Sequence, residues 1–478
     1  MPMPSRRLFP LLAVAVAGLL ALSPAQAGKP SKPAKAASAT PQSVAPPKLD
    51  VKSWELPNGL KVLFLADAKA PIATVHIFYH AGSKNERVGI RGMAHMFEHM
   101  MFKGSEHVPP EEHARMLKEV GGQVNAFTTE DVTAYHQTVP PSYVGFAMQL
   151  EAERMRRLKL FSQTVDSERR VVEEEKRLRI DNNPVGKAIE RFRALAYTKH
   201  PYNWTAVGTI EDLRRIRPED CQKFYDTFYV PNNATLIVVG DVQEQEVRKL
   251  VETHFGPIAR GAEPPRITEQ EPPQTALRDE TMVVEVQIPI VVGGYHIPAA
   301  RDEDTPALEV LATILSAGES SRLHQRLVRK DHLAIAAGGI TETMEHPGLF
   351  IVYAAYLPDR DQKKVRQALL EELKRVREQP VAAGELEKAK NQQAAGFIFG
   401  LQTVDGIAQQ LGQFQYVYGD WSEFLKGAQR YLAVTAADVQ RVAGKYLLDN
   451  NLTVVTLQPQ PQPPSPSPSP SPSGGAAK

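Results

Sequence analysis

Cysteine and unbalanced charge are both nearly absent from this chain of 478 residues. Cys221 is the only cysteine, so no disulfide can form within the chain, and a buried apolar role is the expected one for its thiol. Lysine and arginine together number 56 against 55 aspartate and glutamate residues, which leaves a net charge of +1. This balance gives no electrostatic basis for binding nucleic acid or an acidic membrane surface, and we expect no nucleic-acid partner.

Long apolar runs are also missing, except for one near the N-terminus. Arg6 and Arg7 precede an apolar run over residues 8–22, and residues 25–27 (Ala-Gln-Ala) place small side chains where a signal peptidase reads them. The run of about fifteen residues is short for a membrane span of roughly twenty. We therefore expect a signal peptide over residues 1–27, no membrane span in the mature chain, and a periplasmic location, with secretion as the alternative.

A histidine pair lies in the stretch GMAHMFEHMMFKG, residues 92–104, which contains no proline. If this stretch is helical, His95 and His99 lie one turn apart on one face, with Glu98 beside them. Two imidazoles are half of a zinc site, and a catalytic zinc needs a third protein ligand and one open position. Glu98 then remains available as a general base. The alternative is a set of satisfied polar groups in a buried helix, because methionine and phenylalanine surround them.

Local patterns predict the elements around this stretch. Asn58-Gly59 between apolar segments predicts a hairpin, and residues 72–79 predict a further strand. The Thr- and Val-rich stretch after Gly122 predicts two strands that meet near residues 129–131. Apolar spacing and helix propensity predict helices over residues 142–157 and 167–180.

The second half of the chain repeats the first. Residues 218–239 align with residues 436–457 at a constant offset of 218, so that Asp220 falls on Asp438 and Thr235 on Thr453. Both segments are typical of a helix, a turn and a strand, which predicts two similar lobes. The same offset carries the histidine stretch onto residues 311–317, LATILSA, so no metal ligands are expected there.

The domain organisation follows from composition and from this repeat. The predicted segments are a tether over 28–50, an N-terminal zinc-bearing lobe over 51–260, a linker over 261–275, a C-terminal lobe over 276–457 and a disordered Pro- and Ser-rich tail over 458–478.

The motif His95-x-x-Glu98-His99, followed 76 residues later by Glu175 in ERRVVEEE, resembles the pitrilysin and insulinase family of zinc peptidases, the inverzincins. The stretch GGQVNAFTTEDVTAY, the SSRL segment at residues 320–323 and the duplication extend the resemblance over about residues 51–457. The resemblance implies an α+β fold of two homologous lobes. Each lobe is a mixed or antiparallel sheet with helices packed on one face, and the lobes form a clamshell around an extended peptide.

The resemblance also implies the site residues. One zinc ion per chain would be held by His95, His99 and Glu175, the last lying seven residues after the glutamate of the Glu168-Arg169 pair. A less strict count of the spacing from Glu168 would assign the ligand role to the neighbouring Glu173 or Glu174. Glu98 would be the catalytic base, and Glu168 would orient a ligand or the catalytic water or, alternatively, make a structural ion pair. Peptide would add as a strand at the edge that carries Asn125, Ala126 and Phe127.

The chain departs from the family pattern in its second lobe. Complete members carry there an arginine and, seven residues later, a tyrosine that hold substrate and the oxyanion. The stretch LVRKDHLAIAAGG places Val328 and Ile335 at those positions, and Arg329 could substitute only with a register shift. The resemblance therefore implies a heterodimer, in which a paralogous subunit without the zinc motif supplies the arginine and tyrosine.

The function predicted from these observations is that of a zinc endopeptidase acting on peptides or unfolded segments in an exported compartment. A non-catalytic scaffold subunit and a peptide-binding, chaperone-like module are the alternatives. Five other histidines lack a second donor at ligand spacing and are predicted to be surface or packed residues: His76, His80, His107, His113 and His136.

Overall fold

The computed structural model describes residues 49–460. The predicted signal peptide, nearly all of the predicted tether and nearly all of the predicted tail lie outside the described residues. Two sheets and the helices packed on them form two lobes, which confirms the predicted α+β class. Among residues 49–460, none of the helices combines the length and the apolar character that a membrane crossing requires.

Within these residues, eleven strands form the two sheets. The strands are β1 (Lys52–Glu55), β2 (Lys61–Ala66), β3 (Ala73–Tyr79), β4 (Gln123–Thr128), β5 (Thr133–Val139), β6 (Ala234–Gly240), β7 (Arg278–Val284), β8 (Ile290–His296), β9 (Ala336–Glu342), β10 (Leu349–Ala355) and β11 (Leu452–Pro459). The first sheet has the order β1-β2-β6-β3-β5-β4 and the second the order β7-β11-β8-β10-β9. The pairs β2 with β6 and β7 with β11 are parallel, and the other pairs are antiparallel.

The α-helices surround these sheets. They are α1 (Met93–Met100), α2 (Glu112–Glu119), α3 (Val144–Arg156), α4 (Ser162–Lys176), α5 (Pro184–Ala196), α6 (Ile210–Arg215), α7 (Pro218–Phe228), α8 (Glu244–Phe255), α9 (Thr305–Ser316), α10 (Gln362–Glu378), α11 (Ala383–Phe399), α12 (Val404–Tyr416), α13 (Gln429–Leu432) and α14 (Ala436–Tyr446). Two π-helical segments, Arg177–Asp181 and His324–Lys330, and several short 3-10 turns complete the described chain.

The duplication inferred from the sequence is visible in the sheets. Strands β2, β6, β3, β5 and β4 have β7, β11, β8, β10 and β9 as counterparts, in the same spatial order and with the same strand directions. The offset of 218 carries α7 onto α14 residue for residue. Strand β1 has no counterpart in the described part of the second lobe. The two lobes are therefore homologous, as predicted.

Each sheet also receives one helix from the other half of the chain. Apolar residues of α12 recur at helical spacing, as in Val404, Ile407 and Leu411, and pack with Phe78 and neighbouring residues on the first sheet. In the same way, α5 packs its Phe192 against the second sheet. This exchange places residues distant in sequence in one core and joins the two lobes.

A glycine makes each of these packings possible. A Cβ atom at Gly412 in α12 would lie 2.2 Å from the ring of Phe78, and one at Gly294 in β8 would lie 2.2 Å from the ring of Phe192. Any larger side chain at either position would displace the aromatic ring, because packed interiors leave no room for an added methyl group.

The local predictions agree with the structure apart from the helix that carries Glu175. Strands β1 and β2 form the predicted hairpin around Asn58-Gly59, and β4 and β5 form the predicted strand pair. Helix α4 begins at Ser162, five residues before the predicted start at 167, and its last turn widens into the π-helical segment 177–181. Residues 256–277 contain no helix or strand, and β11 continues to Pro459, two residues past the predicted lobe boundary.

Candidate active site

Helix α1 is held at its start by a buried carboxylate. Gly92 precedes the helix with a φ of 94°, and a Cβ atom there would lie 2.6 Å from the carbonyl oxygen of Val207. The carboxylate of Glu86 accepts hydrogen bonds from the backbone N–H groups of Gly92, at 2.9 Å, and Ala94, at 2.8 Å. These contacts satisfy donors that a helix start leaves open and fix the direction of α1. The start of the helix that carries His95 and His99 is therefore held by hydrogen bonds to Glu86 and by close packing of Gly92 against the backbone of Val207.

The structure brings His95, His99 and Glu175 together, although Glu175 lies on a different helix. The imidazole rings of His95 and His99 have their centroids 4.9 Å apart. Nε2 of His95 lies 3.7 Å from Oε1 of Glu175, and Nε2 of His99 lies 3.4 Å from its Oε2. Ligand atoms of a tetrahedral zinc site lie about 3.3 Å from one another, because each is about 2.0 to 2.1 Å from the ion. The donor set and its spacing therefore fit a zinc ion.

The neighbouring glutamates of α4 point away from the histidines. Glu173 is buried against Arg214 and Arg177, and Glu174 is exposed and pairs with Arg177. Glu175 is the glutamate of this run that faces His95 and His99. The guanidinium of Arg179, one turn further on, pairs with Oε1 of Glu175. Sequence reasoning missed Arg179, although its i, i+4 spacing from Glu175 was a readable signal.

Glu168 lies on the far side of His99. Its Oε2 is 3.6 Å from Nδ1 of His99, and its Oε1 is 3.1 Å from Nζ of Lys103. Burial alone would lower the pKa of His99, but Glu168 and Glu175 raise it to about 9. The site therefore stabilises positive charge at His99, and the same carboxylates would stabilise a divalent cation.

Glu98 is part of α1, and the strand that is predicted to pair with substrate contacts the same helix. Glu98 is buried on α1 between the two histidines in sequence. Asn125, Ala126 and Phe127 lie on β4, which is the edge strand of the first sheet and contacts α1. One backbone edge of β4 has no neighbouring strand in the described sheet, so a peptide could extend the sheet there.

Val328 and Ile335, the residues that the sequence alignment predicts at the arginine and tyrosine positions, lie in apolar surroundings of the second lobe. Val328 packs against the core of the second sheet, and Ile335 packs against the core beneath α5. Arg329 pairs at the surface with Glu319, at 2.6 Å.

Comparison with known proteins agrees with this geometry. Residues 61–209 match the family described as insulinase (peptidase family M16), and residues 215–393 match the peptidase M16 inactive domain. The zinc protease PqqE of Helicobacter pylori is 33% identical over 414 residues, which are 85% of this chain and 93% of that protein. The chain belongs to peptidase family M16.

Two further similarities cover most of this M16 chain. The crystal structure of a protease from Helicobacter pylori superposes with a TM-score of 0.83 at 32% identity and covers 86% of this chain and 100% of that one. A probable mitochondrial-processing peptidase subunit beta of Arabidopsis thaliana is 26% identical over 418 residues, 84% of this chain and 77% of that protein. Relatives named as zinc proteases support a peptidase function for the M16 chain.

Proposed function

We propose that the chain is a zinc-dependent endopeptidase that hydrolyses peptides or unfolded segments. The observation that carries this proposal is the convergence of His95, His99 and Glu175 from two helices, with the carboxylate of Glu98 on the same helix as both histidines. Membership of a family with relatives named zinc protease supports it.

The side chains have separate roles in this mechanism. A zinc ion held by His95, His99 and Glu175 would supply Lewis-acid polarisation of the scissile carbonyl. Glu98 takes a proton from the attacking water and returns it to the leaving amine. Glu168 orients His99 through Nδ1, which leaves Nε2 directed at the metal position.

The substrate binds, in this proposal, as an added strand along β4. Backbone pairing next to Asn125, Ala126 and Phe127 would align the peptide beside α1 and would depend little on its side chains. Extended peptides and unfolded segments can pair in this way, whereas folded proteins cannot offer a free strand.

We place the enzyme in an exported compartment, the periplasm or the exterior, on the basis of the predicted signal peptide. We further propose that it works with a paralogous subunit. The apolar packing of Val328 and Ile335, and the engagement of Arg329 with Glu319, support a need for arginine and tyrosine from a partner. The relative named subunit beta of a processing peptidase is consistent with a two-subunit enzyme.

Cleavage of an internally quenched peptide library by the purified chain tests the activity. Zinc-loaded wild type should cleave when its paralogous subunit is added, and Glu98→Gln should reduce that cleavage by about 100- to 10,000-fold, because a positioned general base contributes that much, while the zinc held by His95, His99 and Glu175 remains bound. Zinc binding without cleavage, with or without the paralogue, would instead support the alternative of a peptide-binding or scaffold subunit. Full activity of the chain alone would overturn the partner requirement and leave the endopeptidase proposal standing.

A further inference from the structure

A second cluster of metal-ligand type lies on the opposite face of the first sheet. His76 on β3 and His136 on β5 form a directly opposed cross-strand pair, with ring centroids 4.9 Å apart. Asp405, at the start of α12, reaches both rings: its Oδ1 is 2.9 Å from Nε2 of His76 and 2.9 Å from Nδ1 of His136. One potential ligand atom from each residue lies within 4.8 Å of the other two.

This cluster is separate from the candidate active site. Strand neighbours of His76, such as Val75 and Ile77, point into the core shared with α1. His76 and His136 point the other way, as do Phe78 and Ala134, towards α12. A backbone layer therefore separates the two clusters, and the second one takes no part in the proposed proton transfer.

The chemical state of His76 and of Asp405 suits metal binding at neutral pH. Burial lowers the pKa of His76 to about 4, so its imidazole is neutral, which is the form that binds metals. Burial alone would raise the pKa of Asp405, but hydrogen bonds from His136 and His76 lower it, so the carboxylate is ionised. In the structure the two imidazoles donate to Oδ1 of Asp405. A bound cation would take the place of those two protons, and each proton would move to the other nitrogen of its ring.

We propose that His76, His136 and Asp405 form a second, structural binding site for a divalent transition-metal ion such as zinc. Two imidazole nitrogens and one carboxylate oxygen are a donor set of the kind that zinc accepts. The side chain of Asp405 is 45% exposed, so the ion can enter and can complete its coordination with water.

The ion would bind two distant parts of the chain together. Asp405 is separated by 329 residues from His76 and by 269 residues from His136. The site would fasten the exchanged helix α12 to the first sheet, and His136 is itself paired with Asn125 of the edge strand β4. The second metal would therefore stabilise the sheet from which the proposed substrate strand is built.

The second site should bind zinc more weakly than the first. Nδ1 of His76 is buried and has no hydrogen-bond partner within residues 49–460, so nothing there accepts the proton that this nitrogen must carry when Nε2 binds a metal. A chelator should accordingly remove the second ion first.

Metal counting on the full chain tests the proposal. Metal-stripped wild type is dialysed against micromolar zinc alone, and bound zinc per chain is measured by plasma mass spectrometry. We expect two zinc ions for wild type, one for Asp405→Asn, one for His136→Gln, one for the double variant His95→Ala/His99→Ala, and none when Asp405→Asn is added to that double variant. The exposed His107 provides the matched control, and His107→Gln should keep two.

The retained ion serves as the folding control, because a misfolded Asp405→Asn chain would not keep the zinc at His95 and His99. Cobalt gives a second readout in the His95→Ala/His99→Ala background, where visible d–d absorption should appear and should vanish with Asp405→Asn. One zinc in wild type, or a second zinc that persists in both Asp405→Asn and His136→Gln, would overturn the proposal and leave a hydrogen-bonded His-Asp-His cluster.

Discussion

Nδ1 of His99 on α1 lies 3.6 Å from Oε2 of Glu168 on α4, and the other oxygen of that carboxylate lies 3.1 Å from Nζ of Lys103. Glu168 thus contacts the face of His99 that is turned away from Glu175. A carboxylate at Nδ1 favours the tautomer with the proton on Nδ1 and leaves the lone pair of Nε2 for a metal. Helix α4 therefore contributes both Glu175, a candidate ligand, and Glu168, the group that orients His99 on α1.

Glu168→Gln should weaken zinc binding or activity by about 10- to 100-fold without abolishing either, since outer carboxylates typically contribute that much. Competition with a chromophoric chelator would measure the affinity. Glu174→Gln is the matched control, because Glu174 lies on the same helix but is exposed and pairs with Arg177. If Glu168→Gln and wild type bound zinc with equal affinity, Glu168 would have only a structural role, as the ion-pair partner of Lys103.

Glu175→Ala and His95→Ala should each lose the metal of the candidate active site, because either change leaves two protein ligands where a catalytic zinc needs three. The measurement is zinc per chain after dialysis against a mild chelator, which is expected to clear the weaker second site. Glu174→Ala is the control with the same change in composition one residue away and should keep its zinc. Stoichiometric zinc in Glu175→Ala would refute this ligand assignment.

The sequence was informative where function depends on local spacing. His95, Glu98 and His99 lie within five residues on one helix, and a constant offset of 218 identified the duplication that the two sheets display. Glu175 could be chosen over Glu173 and Glu174 only through the family resemblance. The structure gives the physical reason, since those two side chains pair with arginines on other faces of α4.

Long-range relationships could not be predicted in this way. The amphipathic pattern of α12 shows that one face must be buried, but it does not say that the partner is the sheet of the other half. For the same reason His76 and His136 were predicted to be isolated packed or surface residues. Their proximity depends on the register of β3 with β5, and Asp405 arrives from a helix that the sequence places in the second half.

A buried lysine joins the two halves of the chain. Lys84, which follows β3, donates to Oδ1 of Asp131 at 2.8 Å and also pairs with Glu345 in the connection between β9 and β10. Asp131 also accepts a hydrogen bond from the backbone N–H of Glu345 at 3.0 Å. The ammonium group thus compensates two carboxylates, one from each half.

Lys84→Met should lower the free energy of unfolding by about 3 to 5 kcal/mol, because removing one partner leaves buried carboxylates without their counter-charge. Denaturant unfolding at pH 7 would measure this change. Lys52→Met is the control, since Lys52 makes an exposed pair with Asp50 and should leave the free energy of unfolding nearly unchanged. If both variants changed the free energy of unfolding by similarly small amounts, the contact between the two halves of the chain would not depend on Lys84.

Protonation of Glu345 should make the protein less stable in acid. Arg266 donates to Nδ1 of His80 at 2.6 Å, so Nε2 of His80 carries a proton and donates to Glu345 at 2.6 Å. Burial alone would raise the pKa of Glu345, but His80 and Lys84 lower it from 4.5 to about 2. The folded state therefore favours the carboxylate, and this stabilisation is complete above about pH 4.5 and is lost as the pH falls towards 2.

Between pH 6 and pH 3, Glu345 should thus account for a loss of roughly 2 kcal/mol in the free energy of unfolding. Glu345→Gln removes the titrating group, so the stability difference between wild type and this variant should shrink by that amount over the same range. Urea unfolding at half-unit pH steps measures both chains, with Glu174→Gln as an exposed control that keeps the wild-type slope. A pH-independent difference between wild type and Glu345→Gln would mean that the carboxylate has the same pKa in the folded and unfolded chain, and that the contacts with His80 and Lys84 do not persist in solution.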